Sequence, residues 1–85
     1  MSKLDKTLKR LRSKPKDFRW QDVEYIFSKL GFTKIEGDGA RVKFRDEEKD
    51  LIANFHKPHP DPVLKHYAVK QMLDFLIENG YIENE

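Results

Sequence analysis

Apolar residues recur along the 85-residue chain in three places at the three- and four-residue spacing of amphipathic helices. The first is a narrow leucine stripe among lysines and arginines within residues 1–13. A second stripe starts at Trp20 and stops before Gly31, a residue type that commonly ends helices. A third follows Val63 and stops at Gly80. The spacing therefore predicts three helices.

Between the second and third helices the pattern changes to the two-residue alternation of β-strands. Residues 41–45 alternate cleanly, and residues 32–36 alternate weakly before a glycine-rich turn. Residues 51–55 form a third strand, whose mixed apolar content favours a central or well-covered position. A three-stranded meander cannot bury both faces, so the second and third helices are expected on one face. The predicted fold is α+β: helix, three-stranded antiparallel meander and helix, with an additional N-terminal helix.

Composition is typical of one small globular domain with a very polar exterior, because 38% of residues are hydrophobic and 38% are charged. The chain has no cysteine, which excludes a disulfide framework and favours a cytoplasmic protein. No apolar run approaches the ~20 residues that span a bilayer. The basic N-terminus lacks the apolar core of a signal peptide. We therefore expect a soluble cytoplasmic protein without a membrane partner.

Positive charge is concentrated near the N-terminus, although the net charge is only +2. Residues 1–16 hold seven Lys/Arg and one Asp, whereas residues 17–85 hold ten Lys/Arg and fourteen Asp/Glu. Pro15 disfavours helical geometry at the residue before it, which predicts a linker there. We thus divide the chain into a basic N-terminal helix and linker, 1–16, and a domain, 17–85. Two roles of this helix are open: its leucines dock it on the domain, or it is an arm that attracts the phosphates of a nucleic acid.

Strand alternation predicts a row of cations on the uncovered face of the sheet. If Val42 and Phe44 point to the helices, the three cations between and beside them point away. The same parity on the third strand turns His56 outward, and Lys34 is expected to join this face from the first strand. Such cations either protect the sheet from edge pairing or form a phosphate-binding surface.

A histidine- and proline-rich segment links the third strand to the last helix. His56 and His59 lie in it together with Lys57, and Lys65 follows shortly afterwards. Histidine exchanges protons near neutral pH, and lysine can hold phosphate. Phosphodiester chemistry needs this combination, namely a base, an acid and cations. Alternatively, the prolines only lead the chain from strand to helix, and the histidines have no chemical role.

Several short motifs follow one another along the chain: Asp17-Phe18 before a helix headed by Trp, Leu30-Gly31-Phe32, GARVKF at 39–44, HKPHP at 56–60, Leu64-Lys65 and Val69-Lys70-Gln71. In this order and at this spacing they resemble the HicA toxins over about residues 17–82. The resemblance implies a fold similar to the double-stranded RNA-binding domain. It also implies cleavage of mRNA, which arrests translation, and neutralisation by a HicB-like antitoxin.

The chain departs from the family pattern at the start of the second strand. Many HicA toxins have Gly-Ser-His there, with the histidine as the presumed catalytic residue, whereas this chain has Gly39-Ala40-Arg41. Arginine cannot act as a general base, because its guanidinium stays protonated. Either catalysis has moved to the histidine loop, or the chain is a non-catalytic module that binds RNA or an antitoxin.

The predicted site contains two catalytic histidines and six cations that bind RNA. The catalytic pair is His56 and His59, and the cations are Lys34, Arg41, Lys43, Arg45, Lys57 and Lys65. No metal or other cofactor is predicted, because the histidines and Asp61 lack an established ligand spacing. The predicted partners are mRNA and a HicB-like antitoxin.

Overall fold

A computed structural model describes residues 2–58 and 60–84. Its helices are α1 (Lys3–Arg12), α2 (Trp20–Lys29) and α3 (His66–Glu78), and its strands are β1 (Thr33–Glu36), β2 (Arg41–Asp46) and β3 (Leu51–His56). The class is α+β, and the order of the elements is ααβββα, as predicted. None of the helices in the described part combines the length and the apolarity needed to cross a membrane.

Local hydrogen bonds explain where α2 begins and ends. The backbone N–H of Arg19 donates to the Asp22 carboxylate at 3.1 Å, which fixes the first turn. At the other end Gly31 adopts φ +90°, a conformation that side chains disfavour. The next N–H, that of Phe32, donates back to the carbonyl of Phe27 at 2.9 Å. The glycine therefore ends the helix and returns Phe32 to the core.

The sheet is an antiparallel meander with the order β1-β2-β3. Of the two positions predicted for the third strand, central or well covered, the order excludes the central one, because β3 lies at an edge of the meander. The apolar content of β3 has another origin: Ala53 and Phe55 are buried against the helices, while Ile52 remains exposed on the opposite face.

The core lies between the sheet and the pair α2 and α3, so both helices cover one face, as predicted. The Phe27 ring of α2 stacks on Phe44 of β2, with ring centroids 4.4 Å apart. Phe75 of α3 lies 6.3 Å from Phe27, and Trp20 contacts Phe44 and Phe55 at 5.9 and 6.5 Å. This aromatic cluster fixes the helices to the sheet and leaves the other sheet face open.

Helix α1 is docked on the domain, one of the two arrangements that the sequence allowed. It contacts α2 and α3, and Leu11 is 0% exposed in the common core. Leu4 and Leu8 pack against the same core and are partly buried. The Arg10 guanidinium also reaches the Asp22 carboxylate at 3.1 Å. The N-terminal helix therefore shares the core of the rest of the chain.

Candidate nucleic-acid interface

The uncovered face of the sheet carries the side chains that strand alternation assigns to it. On β2, Val42 and Phe44 are buried, while Arg41 and Lys43 are exposed. Arg45 is half-buried on the same face and forms an ion pair with Asp50 at 3.1 Å. Arg41 and Lys43 are therefore the more available cations of this row.

His56 lies directly opposite Arg41 in the β2–β3 ladder. In the neighbouring pair, the Lys57 N–H donates to the Ala40 carbonyl at 2.7 Å, so Arg41 and His56 form a non-hydrogen-bonded pair. Pairs of this type have Cα atoms about 4.5 Å apart and the closer side chains. Both side chains are exposed. His56 and Arg41 are therefore neighbouring exposed residues at one end of the open face.

Lys34 is not on this face, so the prediction that it joins the cations of the open face was wrong, while its role in RNA binding stays a prediction from the sequence. It pairs with Phe44, whose side chain faces the helices, whereas Ile35 pairs with Lys43. The Lys34 ammonium forms ion pairs with Glu24 of α2 and with Glu36 at 3.0 Å. These hydrogen bonds, first that to Glu24, raise the pKa of Lys34 above its ordinary value. Its charge is already balanced within the protein.

Four of the predicted RNA-binding cations have no ion-pair partner among residues 2–58 and 60–84. They are Arg41, Lys43, Lys57 and Lys65. An unpaired cation on a surface keeps its full charge for an external anion, whereas a paired one must first give up its carboxylate. The unpaired cations near His56 therefore form a surface that attracts phosphate.

Two cavities open at the end of the sheet where His56 lies. One, of about 340 Å³, is formed by the end of β3 and the start of α3, and Tyr67 lines it together with His56 and Lys65. We call it the Tyr67 cavity. The other, of about 450 Å³, is lined by Arg41 and further residues of the β1–β2 hairpin, among them Glu36, whose carboxylate pairs with Lys34. Lys57 lines both cavities.

Comparison with known proteins identifies the family. A family model described as the HicA toxin of bacterial toxin-antitoxin systems matches residues 20–76. The chain belongs to the HicA toxin family. It is thus a toxin of a toxin-antitoxin system and has an antitoxin as its partner. Searches of curated proteins and of solved structures gave no match. Helix α1 precedes the segment that matches the HicA family.

The second predicted catalytic residue of this HicA toxin, His59, lies outside the described residues. Its role remains a prediction from the sequence. His66 is exposed at the start of α3 and does not line either cavity. Within residues 2–58 and 60–84, no group of three or more His, Cys, Asp or Glu side chains is placed to hold a metal ion.

Sequence reasoning missed two exposed residues of this HicA toxin, Ile35 and Tyr67. Ile35 is 43% exposed on the open face, where Ile52 also lies, and Tyr67 is 66% exposed at the start of α3. The weak alternation of β1 did not reveal the orientation of Ile35. Tyr67 could have been found, because it falls outside the apolar stripe that starts at Val69.

Proposed function

We propose that this HicA toxin is a ribonuclease that cleaves mRNA, with His56 as a proton-transfer group, and that a HicB-like antitoxin neutralises it. One observation carries the proposal: His56 pairs directly with Arg41 across β2 and β3, and both residues are exposed. A phosphate bound by Arg41 would lie within reach of the imidazole.

The proposed reaction is attack of a ribose 2′-hydroxyl on the adjacent phosphorus. A base removes the 2′-hydroxyl proton as the new P–O bond forms, and an acid protonates the 5′-oxygen as the old P–O bond breaks. The products are a 2′,3′-cyclic phosphate and a free 5′-hydroxyl. Negative charge grows on the phosphate oxygens during the step, so nearby cations lower its barrier.

The side chains at the open end of the sheet suit these roles. His56 acts as base or acid, and the sequence-based prediction gives the complementary role to His59. Arg41 remains protonated and therefore stabilises the phosphate without taking the proton. Lys57, which lines both cavities, contributes to the same charge stabilisation. Lys43 and Lys65 hold neighbouring phosphates of the RNA.

Side chains supply both proton transfer and charge stabilisation in this mechanism, so it requires no metal ion. We expect RNA cleavage at an unchanged rate after the protein is treated with EDTA and assayed in metal-free buffer. A loss of cleavage that Mg²⁺ or Mn²⁺ restores would refute a metal-independent mechanism.

The decisive experiment compares two exposed histidines: His56, which lines the Tyr67 cavity, and His66, which lines neither cavity. His56→Ala should lower RNA cleavage by about 100- to 10,000-fold, the usual contribution of a general acid or base. His66→Ala is the matched control and should cleave normally, because His66 lies outside both cavities. Fragments are analysed for 2′,3′-cyclic phosphate ends, and circular dichroism verifies folding. Full activity of His56→Ala would remove His56 from the mechanism.

Neutralisation by a HicB-like protein fits the same surface. An antitoxin with acidic side chains over Arg41 and Lys43 would block access of RNA and balance their charge. The gene next to that of the toxin is therefore expected to encode a HicB-like protein that copurifies with it. Growth arrest on induction of the toxin should disappear when this neighbour is coexpressed.

The arginine at position 41 favours a second candidate function, a module that binds RNA or an antitoxin without cleaving RNA. Such a protein would bind RNA with a strong salt dependence, because Lys and Arg contacts release counterions from the phosphates. It would leave the RNA intact under every assay condition. Salt-dependent binding by the wild-type protein without any cyclic phosphate product would select this candidate over the ribonuclease.

A further inference from the structure

The Tyr67 cavity has a lining that differs from a simple phosphate site. Its lining includes the buried Leu64, and Pro58 and Tyr67 add apolar surface. Lys57 and Lys65 supply positive charge, while the exposed Asp61 supplies a carboxylate. A carboxylate repels a phosphate within the cavity and accepts hydrogen bonds from amino groups. This mixture suits a flat, neutral group with hydrogen-bond donors, joined to a phosphate at the rim.

The side chain of Tyr67 is not held by other side chains in the described part of the protein. The residue is 66% exposed, and its side chain makes no ring contact or hydrogen bond with residues 2–58 or 60–84. The other aromatic residues of the described part are at least half-buried, and most of them contact one another in the core. Exposed aromatic rings are the usual stacking surface for unpaired nucleobases. The ring of Tyr67 is therefore free to stack on a ligand.

The size and position of the cavity limit the form of RNA that can enter it. At about 340 Å³ it lies at the lower end of the range for small-molecule sites, so it accommodates one base and not a duplex. Bases in an A-form duplex are stacked and paired, and duplex readers contact mainly ribose and phosphate. Lys57 lines this cavity and the one that contains Arg41, so a base and its adjoining phosphate can bind side by side.

We propose that the Tyr67 cavity binds one unstacked nucleobase next to the phosphate held by Arg41 and Lys57, so that the toxin binds single-stranded RNA. This inference rests on the proposed function, since it assigns the base beside the scissile phosphate. Tyr67 stacks on the base, and Lys57 connects the base site to the phosphate site. Tyr67 is a binding residue here and takes no part in proton transfer.

The test measures binding without cleavage. A fluorescein-labelled strand of alternating adenine and cytosine carries 2′-O-methyl groups, which block the proposed nucleophile. Fluorescence anisotropy then compares this strand, the same strand annealed to its complement, and an abasic strand of equal charge. Wild-type protein should bind the single strand most tightly. Tyr67→Ala should weaken this binding about tenfold and leave the abasic strand unaffected.

Two further variants separate stacking from other effects. Tyr67→Phe keeps the ring and should retain wild-type affinity, while His66→Ala removes an exposed neighbour outside the cavity and should have no effect. The proposal is overturned if Tyr67→Ala binds the single strand normally, if it loses equal affinity for the abasic strand, or if the duplex binds more tightly than the single strand. Binding that depends on Tyr67 without cleavage of natural RNA would refute only the ribonuclease.

Discussion

Lys34 lies directly opposite Phe44 in the β1–β2 ladder, and its side chain is therefore on the helix-facing side of the sheet. There its ammonium contacts the carboxylates of Glu24 and Glu36. Lys43, one residue earlier than Phe44, has the opposite orientation and no ion-pair partner in the described ranges. Two lysines on adjacent strands thus present very different charge to an RNA.

This difference predicts unequal effects of the same substitution on RNA binding. Lys43→Gln should weaken binding to all RNA sequences and reduce the slope of log affinity against log salt concentration by about one, as for one lost phosphate contact. Lys34→Gln should leave the slope unchanged, because the Lys34 ammonium contacts Glu24 and Glu36 instead of a phosphate. Salt titrations of both variants make the comparison. Equal losses would contradict the assignment of the two faces.

Most of the fold could be predicted from the sequence, because helices and strands that bury only one face show a clear periodic pattern of apolar residues. The alternation of Val42 and Phe44 with cations gave the orientation of β2 correctly, and the stripe from Trp20 to Gly31 gave α2. In β1 all four residues are exposed, so no buried residue within the strand indicates which side chains face the helices. Lys34 was therefore assigned to the wrong face of the sheet. Orientation in such a strand depends on the register with its neighbour, which one strand alone does not reveal.

The candidate site was predictable only in part for a different reason. The histidine and lysines near residue 56 were recognisable from their chemistry. The cavity that brings His56 near Tyr67 depends on how the end of β3 packs against the start of α3, a tertiary relationship without a sequence motif.

The β2–β3 turn is connected to the C-terminal segment by a hydrogen bond from the Tyr81 hydroxyl to the Asp46 carboxylate. This bond lowers the pKa of Asp46, with further help from the N–H groups of Lys49 and Glu48, while desolvation opposes the shift. Burial and then Asp46 raise the pKa of Tyr81 to about 12. Both shifts favour the pair of an ionised carboxylate and a neutral phenol.

These shifts predict how stability varies with pH. Because the pKa of Asp46 is lower in the folded state, its contribution is present at neutral pH and is lost as pH falls below about 3.9 through the folded pKa. Tyr81→Phe should therefore destabilise the protein at neutral pH, and the difference from wild type should narrow in acid. Urea unfolding at a series of pH values measures this. A difference that grows in acid would contradict the prediction.

The contribution of the same pair to stability is also lost in alkali, this time through ionisation of Tyr81. The folded pKa of Tyr81 is raised, so its contribution is complete below about pH 10 and is lost as pH rises through about 12. In an ultraviolet titration of the folded protein, Tyr81 should ionise near pH 12, above the ordinary range of a tyrosine. Asp46→Asn should bring that late step to lower pH, since the carboxylate no longer opposes the phenolate. An unchanged titration would show that burial alone causes the shift.

Docking of α1 predicts a large effect of one leucine on stability. Leu11→Ala should reduce the free energy of unfolding by about 2–5 kcal/mol, because it leaves a cavity in the shared core. Leu4→Ala is the matched control on the same helix, and its partial burial predicts a smaller loss. Denaturant unfolding followed by Trp20 fluorescence measures both variants. If Leu11→Ala changed stability by less than about 0.5 kcal/mol, α1 would not share the core.

Gly31 offers a test of how α2 is terminated. Its φ of +90° is unfavourable for any residue with a Cβ, although a Cβ there would meet no atom within 4 Å. Gly31→Ala should therefore cost about 1–2 kcal/mol of stability through the backbone alone. Gly37→Ala is the control, because its Cβ would make only ordinary contacts of 3.5 Å with Arg41 and its φ is not in the left-handed region. Since a steric clash is absent at both sites, equal stabilities of the two variants in urea would mean that the turn after α2 can relax to a negative φ.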